Sequence, residues 1–335
     1  MTNFIMETRT YVYFFETFEE EMSKFQSYLD MDDVLYTSKT IQEWLLENNE
    51  YKNDAPSILI SIRTQSIVPE SWFSSNHFKG IISRSTGNDH LKKIKKETQL
   101  ELGFLPHYCS SAVAEHATML WMSLLKKIPQ QREQWKTFNR NNITCSEFGK
   151  NKSMLVVGVG NIGYKVANIA KALNIRVFGL DIVKKHNDID YIHDLQNTIE
   201  DIDIIVCCMN LTSKNHNYFN YDSLSNAKKG AIFVNVSRGE ISNCVDLHRL
   251  LKEGVLGGVG MDVFPNETQL GDKLRNTTEN YNNEEETLLE MSKLNNVIFT
   301  PHNAFNTEEG LEQKVKDTII QIKQFYKTGT FKWNV

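Results

Sequence analysis

The chain has 335 residues, of which 40% are hydrophobic and 24% charged, with a formal net charge of -5. At roughly 150 residues per domain, this length allows two domains with real cores, and the mild negative charge gives no global pull toward nucleic acid or an anionic membrane. The N-terminal MTNFIMETRTYVYFFETFEEE has no basic region before a long apolar stretch, so it does not read as a signal peptide, and no run of about 18 apolar residues is available to span a bilayer.

In chain order, the first hundred residues alternate apolar runs with amphipathic stretches. TYVYFF (Thr10 to Phe15), SILISI (Ser57 to Ile62) and GIISRS (Gly80 to Ser85) predict strands, with FEEEMSKFQSYL and SKTIQEWLLENN as helices between them. Leu91 to Glu97, LKKIKKE, reads as the solvated face of a helix. A long helix is expected over Ser110 to Lys127, stopped by Pro129, and then a polar connector, QQREQWKTFNRNNITCSEFGKN. MLVVGVG, RVFGLD, DIDIIVCCM, AIFVNVS and GGVGMDVF follow as strands, with NIGYKVANIAKAL as a helix. Their near-continuous apolar character is that of parallel strands buried on both faces. Residues 268 to 296, rich in Asn, Glu and Thr, predict a surface excursion, and TIIQIKQFYKTGTF a closing amphipathic helix. Cys109, Cys145, Cys207, Cys208 and Cys244 are odd in number and contain no CxxC, so neither a disulfide framework nor a zinc or other metal site is expected; a reducing cytosolic setting is. The vicinal pair Cys207 and Cys208 reads as strand core.

Gly158, Gly160, Asn161, Ile162 and Gly163 form a GxGxxG turn between a strand and a helix. Glycines there permit a tight turn, close approach of backbone to a pyrophosphate and close helix packing, while the helix N-terminus favours phosphate. Asp181 ends the next strand, 18 residues after Gly163. A carboxylate there accepts from ribose hydroxyls and repels a 2′-phosphate, which favours NAD over NADP. Further on, Arg238 (in NVSRG), Asp262 and Glu267 (in GMDVFPNE) and His302 (in TPHNAF) follow apolar runs, where strand C-termini line a ligand crevice.

With these motifs in this order, the chain resembles the D-isomer-specific 2-hydroxyacid dehydrogenase family, over roughly Ile58 to Phe305. The resemblance implies an α/β fold of two doubly wound parallel-sheet domains. A Rossmann NAD-binding domain, 108–302, is inserted into a flavodoxin-like substrate domain made of 1–107 and 303–335. It makes Arg238 the substrate-carboxylate arginine, His302 the proton donor and acceptor, and Glu267 the acid partner of that histidine. Thr86 and Gly87, in SRSTGND, correspond to the loop whose backbone N–H groups bind the carboxylate. Met209, Asn210, Asn215, Val236 and Ser237 correspond to cofactor-lining positions, and Asp262 to a contact with the nicotinamide carboxamide. Tyr108, Asn215 and the PHNAFNT segment resemble the D-lactate dehydrogenase branch. Asn210 in place of proline, Pro265-Asn266 and Lys92 depart from the usual pattern and leave the substrate open.

The chemistry explains the residue types. A guanidinium grips a carboxylate with two parallel hydrogen bonds and polarises the neighbouring carbonyl. The alkoxide that develops during reduction needs a proton, which an imidazolium beside a carboxylate supplies. The resemblance further implies domain closure over the active site and a homodimer built around the Ser110 to Lys127 helix. Two other readings are an NAD-sensing scaffold of the corepressor type and an enzyme acting on another small anion, formate or phosphite.

Overall fold

The structure, a computed structural model, describes residues 10–29, 31–48, 57–141, 144–276 and 280–335. Residues 1–9 of the segment read as no leader, and 277–279 of the excursion, lie outside the described residues. The chain divides into two compact units, one of residues 1–109 with 307–335 and the other of residues 110–306.

In the first unit, among the described residues, β1 (Tyr11–Phe14), β2 (Val34–Tyr36), β3 (Ile58–Ile62), β4 (Phe78–Ser83) and β5 (Glu101–Gly103) form a parallel sheet ordered β2-β1-β3-β4-β5. This is the flavodoxin-like order. Every residue of β3 is buried, because helices cover both faces. The helices are α1 (Glu19–Phe25), α2 (Ile41–Glu47), α3 (Glu70–Phe73), α4 (Asp89–Ile94) and the C-terminal α12 (Glu308–Thr328). Thr40 starts α2 with a capping box closed by Glu43.

Arg84, directly after β4, is fully buried and turned into this unit rather than outward. Its Nε donates to Glu21 Oε1 at 3.0 Å, Nη1 to Ser61 Oγ at 2.8 Å, and Nη2 to the Phe15 carbonyl at 2.7 Å and Thr17 Oγ1 at 2.7 Å. Lys314 Nζ on α12 lies 3.2 Å from the same Glu21 oxygen. Burial pushes the Glu21 carboxyl up, but Arg84, Lys314 and Arg63 outweigh it and hold it below the ordinary 4.5. Burial pulls Lys314 down to about 8 despite Glu21. The pair ties α1 and α12 to the end of β4. Next to it, the Glu16 carboxylate accepts from the backbone N–H groups of Arg63, Gln65 and Ser66 at 2.9, 3.1 and 3.1 Å, which shapes the loop after β3.

In the second unit, β6 (Ser153–Val157), β7 (Arg176–Leu180), β8 (Asp190–Tyr191), β9 (Ile204–Cys207), β10 (Ala231–Asn235), β11 (Leu256–Met261) and β12 (Val297–Phe299) are parallel and ordered β12-β11-β10-β9-β6-β7-β8. The order reverses beside β6, and such a switch point opens a crevice at the strand C-termini. Around the sheet lie α5 (Ser110–Leu125), α6 (Ile128–Trp135), α7 (Asn161–Ala172), α8 (Tyr221–Leu224), α9 (Cys244–Lys252), α10 (Glu267–Arg275) and α11 (Asn283–Met291). Cys207 ends β9 fully buried, and burial pushes its thiol up to about 12, which suits a core role; Cys208 lies just past the strand and is only half-buried, so it is not strand core.

Three local expectations need correction. Pro129 does not simply stop a helix. The long helix ends at Leu125, and Pro129 sits in the first turn of α6, where its missing N–H and fixed φ cost nothing. The connector therefore begins as helix. The described residues of the surface excursion expected over 268 to 296 include two helices, and α10 and α11 bury Leu270, Leu288 and Met291 in the core. Lys273 Nζ pairs with the buried Glu285 Oε2 at 2.6 Å, which makes those polar residues part of the packing. The short strands β2, β5, β8 and β12 have too few residues for a periodicity to show.

Removing the carboxylate at position 21 leaves buried cations without their partner. Glu21→Gln is expected to cost about 3–5 kcal/mol in urea unfolding. Because the folded carboxyl of Glu21 titrates below 4.5, its contribution is complete above that pH and is lost as pH falls through the lower folded value. Wild-type unfolding midpoints should fall with acid in that window, and those of Glu21→Gln should fall less.

Candidate active site

The glycine turn leaves the end of β6. Gly158 has φ +90, and a β-carbon there would lie 2.4 Å from the Met209 backbone nitrogen. A β-carbon on Gly163 would lie 2.0 Å from the Gly158 carbonyl, so the first turn of α7 can dock on the loop only as glycine. Gly160, by contrast, has nothing within 4 Å of a β-carbon position and caps α7 without a side-chain hydrogen bond. Backbone thus faces open space at a helix N-terminus, the arrangement that a dinucleotide pyrophosphate requires. Asp181, just past β7, sits against this loop. Its Oδ2 accepts from the Val159 N–H at 2.6 Å and its Oδ1 from the Val183 N–H at 2.9 Å.

The loop after β9 is held by its own side chains. Asn215 Oδ1 accepts from the Thr212 N–H at 2.7 Å, and its Nδ2 donates to the Asn210 carbonyl at 2.8 Å. Ser237 Oγ donates to the Met209 carbonyl, which ties this loop to the one after β10. Val236 N–H reaches the Cys207 carbonyl at 3.3 Å. Met209, Asn210, Asn215, Val236 and Ser237 therefore lie on two linked loops beyond neighbouring strand ends.

Arg238 follows on the same loop, with Nη1 donating to the Ser237 carbonyl at 2.9 Å. The next residue, Gly239, packs so closely on the loop after β11 that a β-carbon would lie 1.9 Å from the Phe264 carbonyl carbon. That contact sets the Arg238 loop against the segment bearing Glu267. Asn266, at φ 52, turns the chain into α10, and asparagine is among the residues that tolerate this left-handed conformation.

Glu267 and His302 meet. Glu267 Oε1 accepts from the Phe264 N–H at 2.9 Å, and Oε2 lies 2.6 Å from His302 Nδ1. The carboxylate can only accept, so Nδ1 carries a proton and Nε2 is the ring nitrogen left for chemistry. Both side chains are about one-third exposed. His302 itself has φ 49, a conformation that costs a residue with a β-carbon about 1–2 kcal/mol. Asp262, 1% exposed, pays for this strain: its Oδ1 accepts from Thr300 Oγ1 at 2.6 Å and the Asn303 N–H at 2.9 Å, and its Oδ2 from the Ala304 N–H at 2.9 Å. The carboxylate expected to face a nicotinamide is thus engaged on both oxygens with the turn that carries His302.

Among the residues of the first unit, Thr86 Oγ1 donates to the Leu105 carbonyl at 3.1 Å and lies 3.1 Å from Cys109 Sγ. The Gly87 carbonyl accepts from Ser85 Oγ at 2.8 Å. Tyr108 packs on the cluster of Val12, Phe14 and Phe25, and burial raises its phenol, which stays protonated. Sequence reading missed His116 and Thr300, whose side chains join at 2.9 Å across 184 positions of chain. Thr300 had one available signal, its place two residues before His302. His116 had none that local spacing supplies, being one of several polar residues along α5.

The model of the D-isomer specific 2-hydroxyacid dehydrogenase NAD binding domain matches residues 118–304, more than half of the chain. The chain belongs to the D-isomer-specific 2-hydroxyacid dehydrogenase family. It is an enzyme, an NAD-dependent 2-hydroxyacid dehydrogenase, and NAD is its coenzyme. Among curated proteins it is similar to a D-lactate dehydrogenase of Streptococcus agalactiae serotype V, 27% identical over 265 residues that cover 75% of this chain and 77% of the relative. It is also similar to one of Staphylococcus epidermidis, 26% identical over 257 residues with the same coverage. Among solved structures, the D-lactate dehydrogenase of Aquifex aeolicus complexed with NAD and lactic acid superposes with a TM-score of 0.83 at 26% identity, covering 94% of this chain and 95% of that one. D-2-hydroxyisocaproate dehydrogenase shares the fold, with a TM-score of 0.82 at 20% identity over 97% of this chain and 99% of that one. Among the described residues, no helix is long and apolar enough to cross a membrane and no cluster could hold a metal ion.

The two glycines separate coenzyme binding from folding. Gly160→Ala should leave the melting temperature unchanged while weakening NADH binding, followed by fluorescence titration, by about tenfold or more. Gly163→Ala should lower both.

Proposed function

We propose that this enzyme reduces a small 2-oxo acid to its D-2-hydroxy acid and runs the reverse oxidation, with pyruvate and D-lactate as the leading pair. The observation that carries the reading is the Glu267–His302 contact at 2.6 Å, which leaves Nε2 as the reactive nitrogen. In reduction, the imidazolium gives its Nε2 proton to the carbonyl oxygen as negative charge develops there. In oxidation, the neutral ring takes the proton back through the same atom. Glu267 keeps Nδ1 protonated throughout and stabilises the cation. Arg238 is proposed to bind the substrate carboxylate, with backbone N–H groups at Thr86 and Gly87 sharing that task and Tyr108 facing the substrate. Bound NADH supplies the hydride. Gly158, Gly160, Asn161, Ile162 and Gly163 are proposed to hold its pyrophosphate, Asp181 its ribose, and Met209, Asn210, Asn215, Val236, Ser237 and Asp262 to lie along it. The D-lactate dehydrogenases among its relatives support pyruvate as substrate.

A panel of pyruvate, longer 2-oxo acids, hydroxypyruvate, formate and phosphite, each with the matching coenzyme form, tests the assignment. Turnover should be highest with pyruvate, and NADPH should be used poorly. Reduction should fade as pH rises and oxidation should improve, since one needs the imidazolium and the other the neutral ring. His302→Gln should lower kcat in both directions by about 100- to 10,000-fold. Equal profiles in both directions, or a fully active His302→Gln, would sink the proton-transfer role.

A homodimer in the cytosol completes the proposal. Exposed Met119, Ile128, Trp135, Phe138 and Phe148 on and beside α5 and α6 support a self-association surface. The free cysteines among the described residues support a reducing compartment. Light scattering should give twice the chain mass, and Trp135→Glu should shift it toward monomer.

A further inference from the structure

His116 sits on α5, with Nε2 2.9 Å from Thr300 Oγ1 and 3.5 Å from Asp262 Oδ1. Thr300 Oγ1 is 2.6 Å from the same Asp262 oxygen. A hydroxyl has one proton, and against a carboxylate at that distance the hydroxyl must donate it. Its lone pair then faces His116, so the imidazole donates from Nε2. The donors form one directed chain, from His116 to Thr300 to Asp262. The two Asp262 oxygens in turn hold the N–H groups of Asn303 and Ala304, the two residues directly after His302.

Backbone bonds explain why these groups meet. The Asp262 N–H reaches the Asn235 carbonyl at 3.0 Å and the Thr300 N–H reaches the Met261 carbonyl at 2.9 Å, so both residues leave adjacent strand ends side by side. α5 packs on β10, β11 and β12 and brings His116 over that edge. The His302 N–H closes the turn onto the Thr300 carbonyl at 2.9 Å, so Thr300 grips it from both backbone and side chain.

We propose that His116 is a positioning residue for the reaction. It orients the Thr300 hydroxyl onto Asp262 and thereby fixes the left-handed turn that aims His302 Nε2 at the substrate. Without that donor the hydroxyl is free to rotate away, Asp262 loses one of its acceptor bonds, and the strained turn relaxes. The inference rests on the reading of His302 as the proton-transfer group, and it assigns His116 no contact with substrate or coenzyme.

The test compares His116→Gln, His116→Leu, Thr300→Val and the double variant His116→Leu with Thr300→Val, using His302→Gln as a control on the underlying reading. Pyruvate with NADH is the kinetic probe. Labelling of His302 by diethyl pyrocarbonate, followed by mass spectrometry, is a second readout that needs no substrate. His116→Leu should lose about 10- to 100-fold in kcat, the scale set by a misplaced catalytic group, with NADH affinity and melting temperature unchanged. Its solvent isotope effect on kcat should rise and His302 should label faster. His116→Gln keeps a donor at the Nε2 position and should recover most of the loss. Thr300→Val should match His116→Leu, and the double variant should be no worse than either, because both break one chain. Several results would overturn the inference: wild-type kcat and labelling in His116→Leu, equal behaviour of the Gln and Leu variants, or losses that add in the double variant. An active His302→Gln removes the underlying reading and this inference together, whereas an inactive His302→Gln beside an unimpaired His116→Leu removes only the inference.

Discussion

One buried carboxylate holds the reactive end of the second unit together. Asp262 leaves the end of β11 with almost no exposure, and such a group is tolerated only when its lone pairs are filled. The donors it collects are a hydroxyl and two backbone N–H groups from a single turn, Thr300 to Ala304. The electrostatic need of Asp262 therefore becomes a geometric constraint on His302. A histidine at φ 49 is not where a free peptide would place it, and the surrounding bonds over-determine the conformation.

The rest of the unit follows from parallel strands that end together. Parallel pairing across β12, β11, β10, β9 and β6 brings their C-termini to one edge, so loops far apart in sequence become neighbours. Close approach then replaces side chains with backbone where the loops touch. Gly158 meets the loop after β9, and Gly239 meets the loop after β11. In both cases a methyl group would collide with main chain, which cannot move aside as a flexible side chain can. Glu267 and His302 pair because this packing leaves each facing the other across 35 positions of sequence.

The first unit solves a different electrostatic problem. Arg84 carries a permanent charge in a dry interior, and its five donor contacts to Glu21, Ser61, Phe15, Glu16 and Thr17 satisfy it. Lys314 shares Glu21 and has its charged form disfavoured by burial, so the second cation is held at a cost in stability. What the arrangement secures is attachment: the loop that begins at Ser85 grows from a residue anchored to β1, β3 and α1.

Much of this was legible in the amino-acid order because it depends on local patterns. Apolar runs marked the long strands, the GxGxxG spacing marked the turn before α7, and Arg238, Glu267 and His302 stood out as reactive types just after apolar runs. Sequence alone determined the layered α/β character and singled out Arg238, Glu267 and His302 as candidates for the chemistry. Tertiary structure decided what those groups are bonded to. It formed α10 and α11 in the Asn- and Glu-rich stretch and set Leu270, Leu288 and Met291 in the core, gave Asp262 to the His302 turn, and joined His116 to Thr300. It also placed Lys314 inside, on the buried stripe of α12 that runs through Gly310, Thr318, Gln321 and Phe325, where Glu21 meets it. Burial and hydrogen-bond partners are set by which elements pack together, and pairs such as Lys314 with Glu21 are separated by nearly the whole chain, beyond the reach of any local pattern.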